Sequence, residues 1–97
     1  MQVQQNSSVN ILATIQDGSL DPPENVTASY VLLTLQDPAG NVQGPYSMVP
    51  TSTVGIYVYQ RAMTPSDPVG RWLGSVLALY QLQLTESPYV ELFELAD

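Results

Sequence analysis

Apolar residues fall on every second position in several stretches of the chain, and each stretch is bounded by turn-forming residues. In 9-VNILATIQ-16, Val9, Ile11, Ala13 and Ile15 alternate with a mostly polar set, the pattern of a half-buried β-strand. The segment 17-DGSLDPPEN-25 is dense in turn residues, and its two prolines exclude a strand interior. A second strand is predicted over 29-SYVLLTLQ-36. In 36-QDPAGNV-42, Asp37 suits the first turn position, Pro38 fixes the second and Gly40 can take positive φ. A hairpin into 42-VQGPYSMV-49 follows, and Pro45 makes that strand an edge strand or an irregular one. The stretch 53-TVGIYVYQR-61 is the next strand, and 63-MTPSDPVG-70 is a loop.

The last quarter holds 71-RWLGSVLALYQLQLTE-86 and 89-YVELFEL-95, separated by Ser87-Pro88. The first is too long for one flat strand, and Gly74 is the expected bulge or break. A helix over 72–82 is the rival reading, because Trp72, Leu73, Val76, Leu77, Leu79 and Tyr80 partly fit helical spacing. The alternation in 81-QLQLT-85 and 90-VELFEL-95 favours strands. About seven strands with closely spaced turns predict one all-β antiparallel sandwich over 8–97, with residues 1–7 as a flexible arm.

Three of these strands carry apolar residues on both faces. Ile56 and Val58 oppose Tyr57 and Tyr59; Tyr30 and Leu32 oppose Val31, Leu33 and Leu35; Leu77 and Leu79 oppose Val76, Ala78, Tyr80, Leu82 and Leu84. A two-sheet sandwich buries one face of each sheet. The second apolar face is therefore expected to be covered by copies of the chain or by a larger assembly.

Composition sharpens this reading. Two arginines, no lysine and nine acids give a formal net charge of −7, which excludes direct nucleic-acid binding and contact with an anionic membrane surface. Only 11% of residues are charged, against about 25% in ordinary domains, yet 44% are hydrophobic, so disorder does not explain the deficit. There is no cysteine, so no disulfide or thiolate metal site is available, and no apolar run is long enough to span a membrane. The start, MQVQQNSSVN, lacks the features of a signal peptide, and a protein made inside a cell is expected.

Candidate chemistry is sparse. Without His or Cys the usual nucleophile–base pairs have no base or thiolate, and Ser–Lys pairs have no lysine. Paired carboxylates (Asp17 with Asp21 or Glu24, Glu91 with Glu94) read better as turn and solvent-facing residues than as a glycosidase pair. No enzyme is expected, and no cofactor. The acids of 17–25 could hold calcium, but turn chemistry accounts for them more simply. Tyr57 and Tyr59, with Arg61 two residues on, would suit a stacking platform or a protein contact, whereas Trp72 reads as a core residue. The candidate interface residues are Ile56, Val58, Tyr59, Arg61, Tyr30 and Leu32.

Thr34 with Asp37, Pro38 and Gly40, then Gly55 with Tyr57, then Gly70 with Trp72 form the series T-x-x-D-P-x-G, G-x-Y and G-x-W. In this series the chain resembles the small immunoglobulin-like domains of bacterial proteins and of tailed-bacteriophage structural proteins. The likeness covers residues 8–73; the long 71–86 segment departs from the usual short strands. It implies that Tyr57 and Tyr59 face the core and that Ile56 and Val58 face outward. The chain begins with Met and ends after its final strand, so this domain is expected to be the whole protein. The resemblance then implies a non-enzymatic virion subunit assembled in the host cytoplasm. Its expected role is capsid decoration or cement, with a head–tail or tail-associated component as the alternative. Its partners would be capsid or other virion proteins, with a homo-oligomer possible. A carbohydrate-binding module and a calcium-dependent adhesion domain are the rivals from other classes.

Overall fold

A computed structural model describes residues 2–97, and among them every regular element is a strand. The elements are β1 (Gln2–Gln4), β2 (Ser8–Thr14), β3 (Gln16–Asp17), β4 (Glu24–Asn25), β5 (Tyr30–Gln36), β6 (Val42–Ser47), β7 (Val49–Pro50), β8 (Ile56–Ala62), β9 (Gly70–Tyr80), β10 (Gln83–Glu86) and β11 (Val90–Ala96). A large sheet has the order β1-β11-β9-β5-β6, with β10 also paired to β9. A small sheet has the order β2-β8-β7, and β3 and β4 form a separate hairpin. Pairing is antiparallel throughout except between β1 and β11.

The alternation seen in the sequence fills one core between the sheets. Val31, Leu33, Leu35, Trp72, Phe93 and Leu95 come from the large sheet and are almost fully buried. Val9, Ile11 and Tyr57 face them from the small sheet. The Asp37 turn forms as its residues require. The Asp37 carboxylate accepts from the N–H groups of Ala39 (3.0 Å) and Asn41 (2.9 Å), and Gly40 sits at φ 91°. Gly70, at φ 134°, packs against the same turn, where a Cβ would stand 3.0 Å from Pro38. The register of β5 with β6 shifts beside Gly44-Pro45, so Pro45 sits on an edge strand that is also irregular.

Two expectations are corrected, and one rival reading is set aside. Residues 2–4 are not a loose arm: β1 pairs with Glu94–Ala96, and Val3 is buried because its neighbours alternate with it outward. Met1 lies outside the described residues. The helix over 72–82 does not form, since β9 is held on both sides by β5 and by β11 and β10. Gly74 is not the break in 71–86. It sits inside β9, where the Leu92 side chain occupies the space a Cβ would need (2.6 Å); the bulge lies in the facing β11, between Glu91 and Phe93. The break comes at Gln81 and Leu82, both at positive φ (50° and 63°), in a two-residue hairpin turn.

Candidate interaction surfaces

The side chains best equipped for contact chemistry turn inward. Tyr57 is buried, and its hydroxyl accepts from the Ala28 N–H at 2.9 Å. Tyr59 shares its face and stacks on Tyr46, with ring centroids 4.8 Å apart. Arg61, two residues further on, lies over Trp72 at 5.2 Å and bonds Asp67 at 3.1 Å. Trp72 stacks on Phe93 at 5.8 Å and donates its indole N–H to the Pro68 carbonyl at 3.0 Å. As candidate interface residues, Tyr59 and Arg61 are therefore corrected: strand alternation puts both on the core side, where each is engaged by a neighbour. The proposed aromatic platform is dismantled by the same packing.

The other four candidates face outward but on opposite sides of the molecule. On the small sheet, Val58 lies between Leu12 and Val49, which are 63% and 59% exposed, and Ile56 follows on the same face. On the large sheet, Tyr30 pairs with Leu79, which pairs in turn with Leu84. One pleat along, Leu32 pairs with Leu77. Leu32, Leu77, Pro45 and Tyr89, together with the polar Thr34, Ser75 and Glu86, border a depression of about 140 Å³. This is a three-strand apolar surface. The sequence reading missed the membership of Leu84, which it grouped with Val76. The two-residue turn at 81–82 carries Gln83 and Thr85 to the inner side and Leu84 to the outer one. Gln-Leu is not a turn sequence, so nothing in the residue types announces that switch.

A third feature is a groove of about 420 Å³ between β2 and the inner face of β9, β10 and β11. Ile15, Val76, Ala78, Val90 and Leu92 line it, and Tyr80 closes one end by donating its hydroxyl to Asp17 at 3.3 Å. The Ser19 hydroxyl and N–H also bond Asp17 and hold its carboxyl below the ordinary value. Partial burial, then the Asp17 charge and the hydrogen bond to it, push the Tyr80 phenol up. Among the described residues no three His, Cys, Asp or Glu side chains converge in metal-binding geometry. Asp17, the leading acid of the 17–25 loop, serves the turn through Ser19.

Both arginines are paired, Arg61 with Asp67 and Arg71 with Glu91 (3.2 Å). Among the described residues the other acids have no ion-pair partner, Asp17, Asp21 and Glu24 on the β3–β4 hairpin included. Comparison with known proteins finds no family model and no curated protein that matches this chain.

Proposed function

We propose that this chain is a non-enzymatic binding subunit of a larger protein assembly, a capsid-decoration or cement subunit of the tailed-bacteriophage kind. The observation that carries the reading is the apolar outer surface of the large sheet, where Tyr30, Leu32, Leu77, Leu79, Leu84 and Tyr89 stand together on three strands and the segment that follows them. A face of this kind is unfavourable on a free monomer and is stabilising once covered, at about 25 cal/mol per Å² of apolar area removed from water. With 11% charged residues, the rest of the surface offers little to offset it in solution.

The order of the strands supports the immunoglobulin-like part of the reading. In that fold the sheet holding the third, sixth and seventh strands faces one holding the second, fourth and fifth. Here β1-β11-β9-β5-β6 faces β2-β8-β7, with β1 in the large sheet where that fold has its first strand in the other. The inward Tyr57 and Trp72, each following a positive-φ glycine by two residues, agree with the G-x-Y and G-x-W likeness. The mechanism is burial of the outer apolar surface against capsid subunits, with the acidic remainder facing solvent.

The test is whether the chain is a stoichiometric part of assembled particles. Particles banded by density gradient from cells that make the chain are quantified by mass spectrometry. The expected result is many copies per particle, at the stoichiometry of a surface subunit, and loss of incorporation by a folded Leu84→Asp variant. A chain found wholly in the soluble fraction overturns the proposal.

A further inference from the structure

The two sheets differ in width. The large sheet is five strands across, with β10 added beside β9, whereas the small sheet has three. The inner face around Val76, Ala78, Val90 and Leu92 is consequently bordered by the edge of β2 but not roofed by a strand. That edge is open for hydrogen bonding. Ile15 donates to Gly55 at 2.7 Å and Ser7 accepts from Met63 at 2.8 Å, so the odd-numbered residues of β2 bond toward β8. Asn10, Leu12 and Thr14 therefore direct their N–H and C=O groups away from β8, and among the described residues no strand pairs with them.

Natural edges are usually blunted by proline, charge or a bulge. The stretch 8-SVNILAT-14 has no proline and no charge, and its pairing with β8 runs without a register shift. A strand laid along this edge would satisfy three residues' worth of backbone groups while its alternate side chains entered the 420 Å³ groove. The size lies within the range of about 300–1,000 Å³ usual for binding sites.

Charge selects the occupant. The groove's lining carries no charged residue among those described, but it ends at Tyr80 and Asp17, beside the hairpin that also holds Asp21 and Glu24. A second copy would bring another net −7 and two arginines already engaged by Asp67 and Glu91. A foreign segment with Lys or Arg at that end comes beside Asp17, with Asp21 and Glu24 adding negative charge from the same hairpin. We propose that the free edge of β2 and its groove take up an extended segment of a different protein as a fourth strand of the small sheet. That segment is apolar at alternate positions and basic at the end that comes beside Asp17 and its hairpin. The inference rests on the binding-subunit reading and names the chemistry of its partner.

The experiment uses short synthetic peptides of alternating Thr and Val, ended by paired Lys at one terminus or the other, with paired-Glu peptides as controls. Amide exchange of the intact protein is followed by NMR. One of the Lys peptides is expected to slow exchange at Asn10, Leu12 and Thr14 together by roughly tenfold or more. The Glu peptides should bind roughly tenfold more weakly. Thr14→Pro removes an N–H that points away from β8, so it should leave the β2–β8 pairing intact and abolish the protection. If that variant fails to fold, Asp21→Asn with Glu24→Gln gives the second readout, a loss of preference for Lys over Glu.

Peptide binding that leaves the three amides unprotected, equal binding of Lys and Glu peptides, or protection of these amides by dimerisation of the free protein would each overturn the proposal. Its failure is separable from that of the function. A chain present in particles whose β2 edge takes no basic strand retains the first reading and loses the second.

Discussion

The two ends of the sandwich are built on opposite principles. At one end Trp72, Phe93, Arg61 and Asp67 interlock, with the 63–69 loop supplying carbonyl and amide partners. Apolar surface is buried there, and the polar groups beside it are partnered except for the buried Arg61 Nε, which has no hydrogen-bond partner among the described residues. At the other end β10 leaves the core behind, Leu82 is 96% exposed at its tip, and the groove beside β2 is open. The first arrangement holds the domain together. The second leaves surface and backbone uncovered, which is what a binding surface requires, and its residues contribute correspondingly little to the stability of the isolated chain.

The largest expected effect tests that division directly. Trp72→Ala removes a fully buried indole and the ring on which Phe93 and Arg61 pack, so it should cost about 3–5 kcal/mol in urea denaturation. That is a large share of a total stability of about 5–15 kcal/mol. Val76→Ala, at the groove, should cost about 1 kcal/mol, because Val76 is half-buried and already borders open space. Similar losses at the two positions would erase the distinction between a closed end and an open one.

The closed end was largely legible in the sequence and the open end largely was not. Trp72 as core and the Asp37 turn follow from the residue types and from turn residues with specific backbone needs, whereas the outward Ile56 and Val58 are implied by the G-x-Y resemblance, since alternation alone does not say which face of a strand is buried. Those rules work where a residue's conformation is decided by its neighbours. The 71–86 segment lacks such markers: the chain reverses at Gln81-Leu82, a pair with no intrinsic preference for positive φ, and the reversal moves Leu84 to the other face. The burial of Val3 and the inward position of Arg61 depend on partners far away in the chain, Leu95 for one and Asp67 with Trp72 for the other. Likewise the groove exists because one sheet is wider than the other, a property of topology that no local pattern contains.

A smaller effect concerns that reversal. Replacing Gln81-Leu82 with Asn-Gly supplies the residues that positive φ favours at both positions, and Leu82 gives up no packing at 96% exposure. The double change should raise stability by about 1 kcal/mol. It should also leave the near-UV signal of Trp72 unchanged, since the two sites occupy different ends. A destabilised variant would mean that the hairpin tip is held by contacts that matter to the isolated chain, and the open end would lose its separate status.

The smallest effect is the pH response of the groove's closed end. The Ser19 hydroxyl and N–H hold the Asp17 carboxyl below its ordinary 3.8, with Tyr80 adding to them. Its stabilising contribution is therefore present above about pH 4 and is lost as pH falls through the lowered value. The Tyr80 phenol is raised above 10.0, first by desolvation and then by Asp17, so its contribution is present below pH 10 and is lost as pH rises through the raised value. Stability curves of the protein and of Tyr80→Phe should differ by a constant amount from about pH 5 to pH 9, and the protein should lose stability relative to the variant as pH falls through the lowered Asp17 value or rises beyond 10. A difference that stays constant through the acid limb would mean that Asp17 and Tyr80 are not in contact in solution. The same curves report on the groove, because a cation brought beside Asp17 favours its charged form. A bound basic strand should thus move the acid limb to lower pH, whereas a strand held by apolar contact alone should leave it in place.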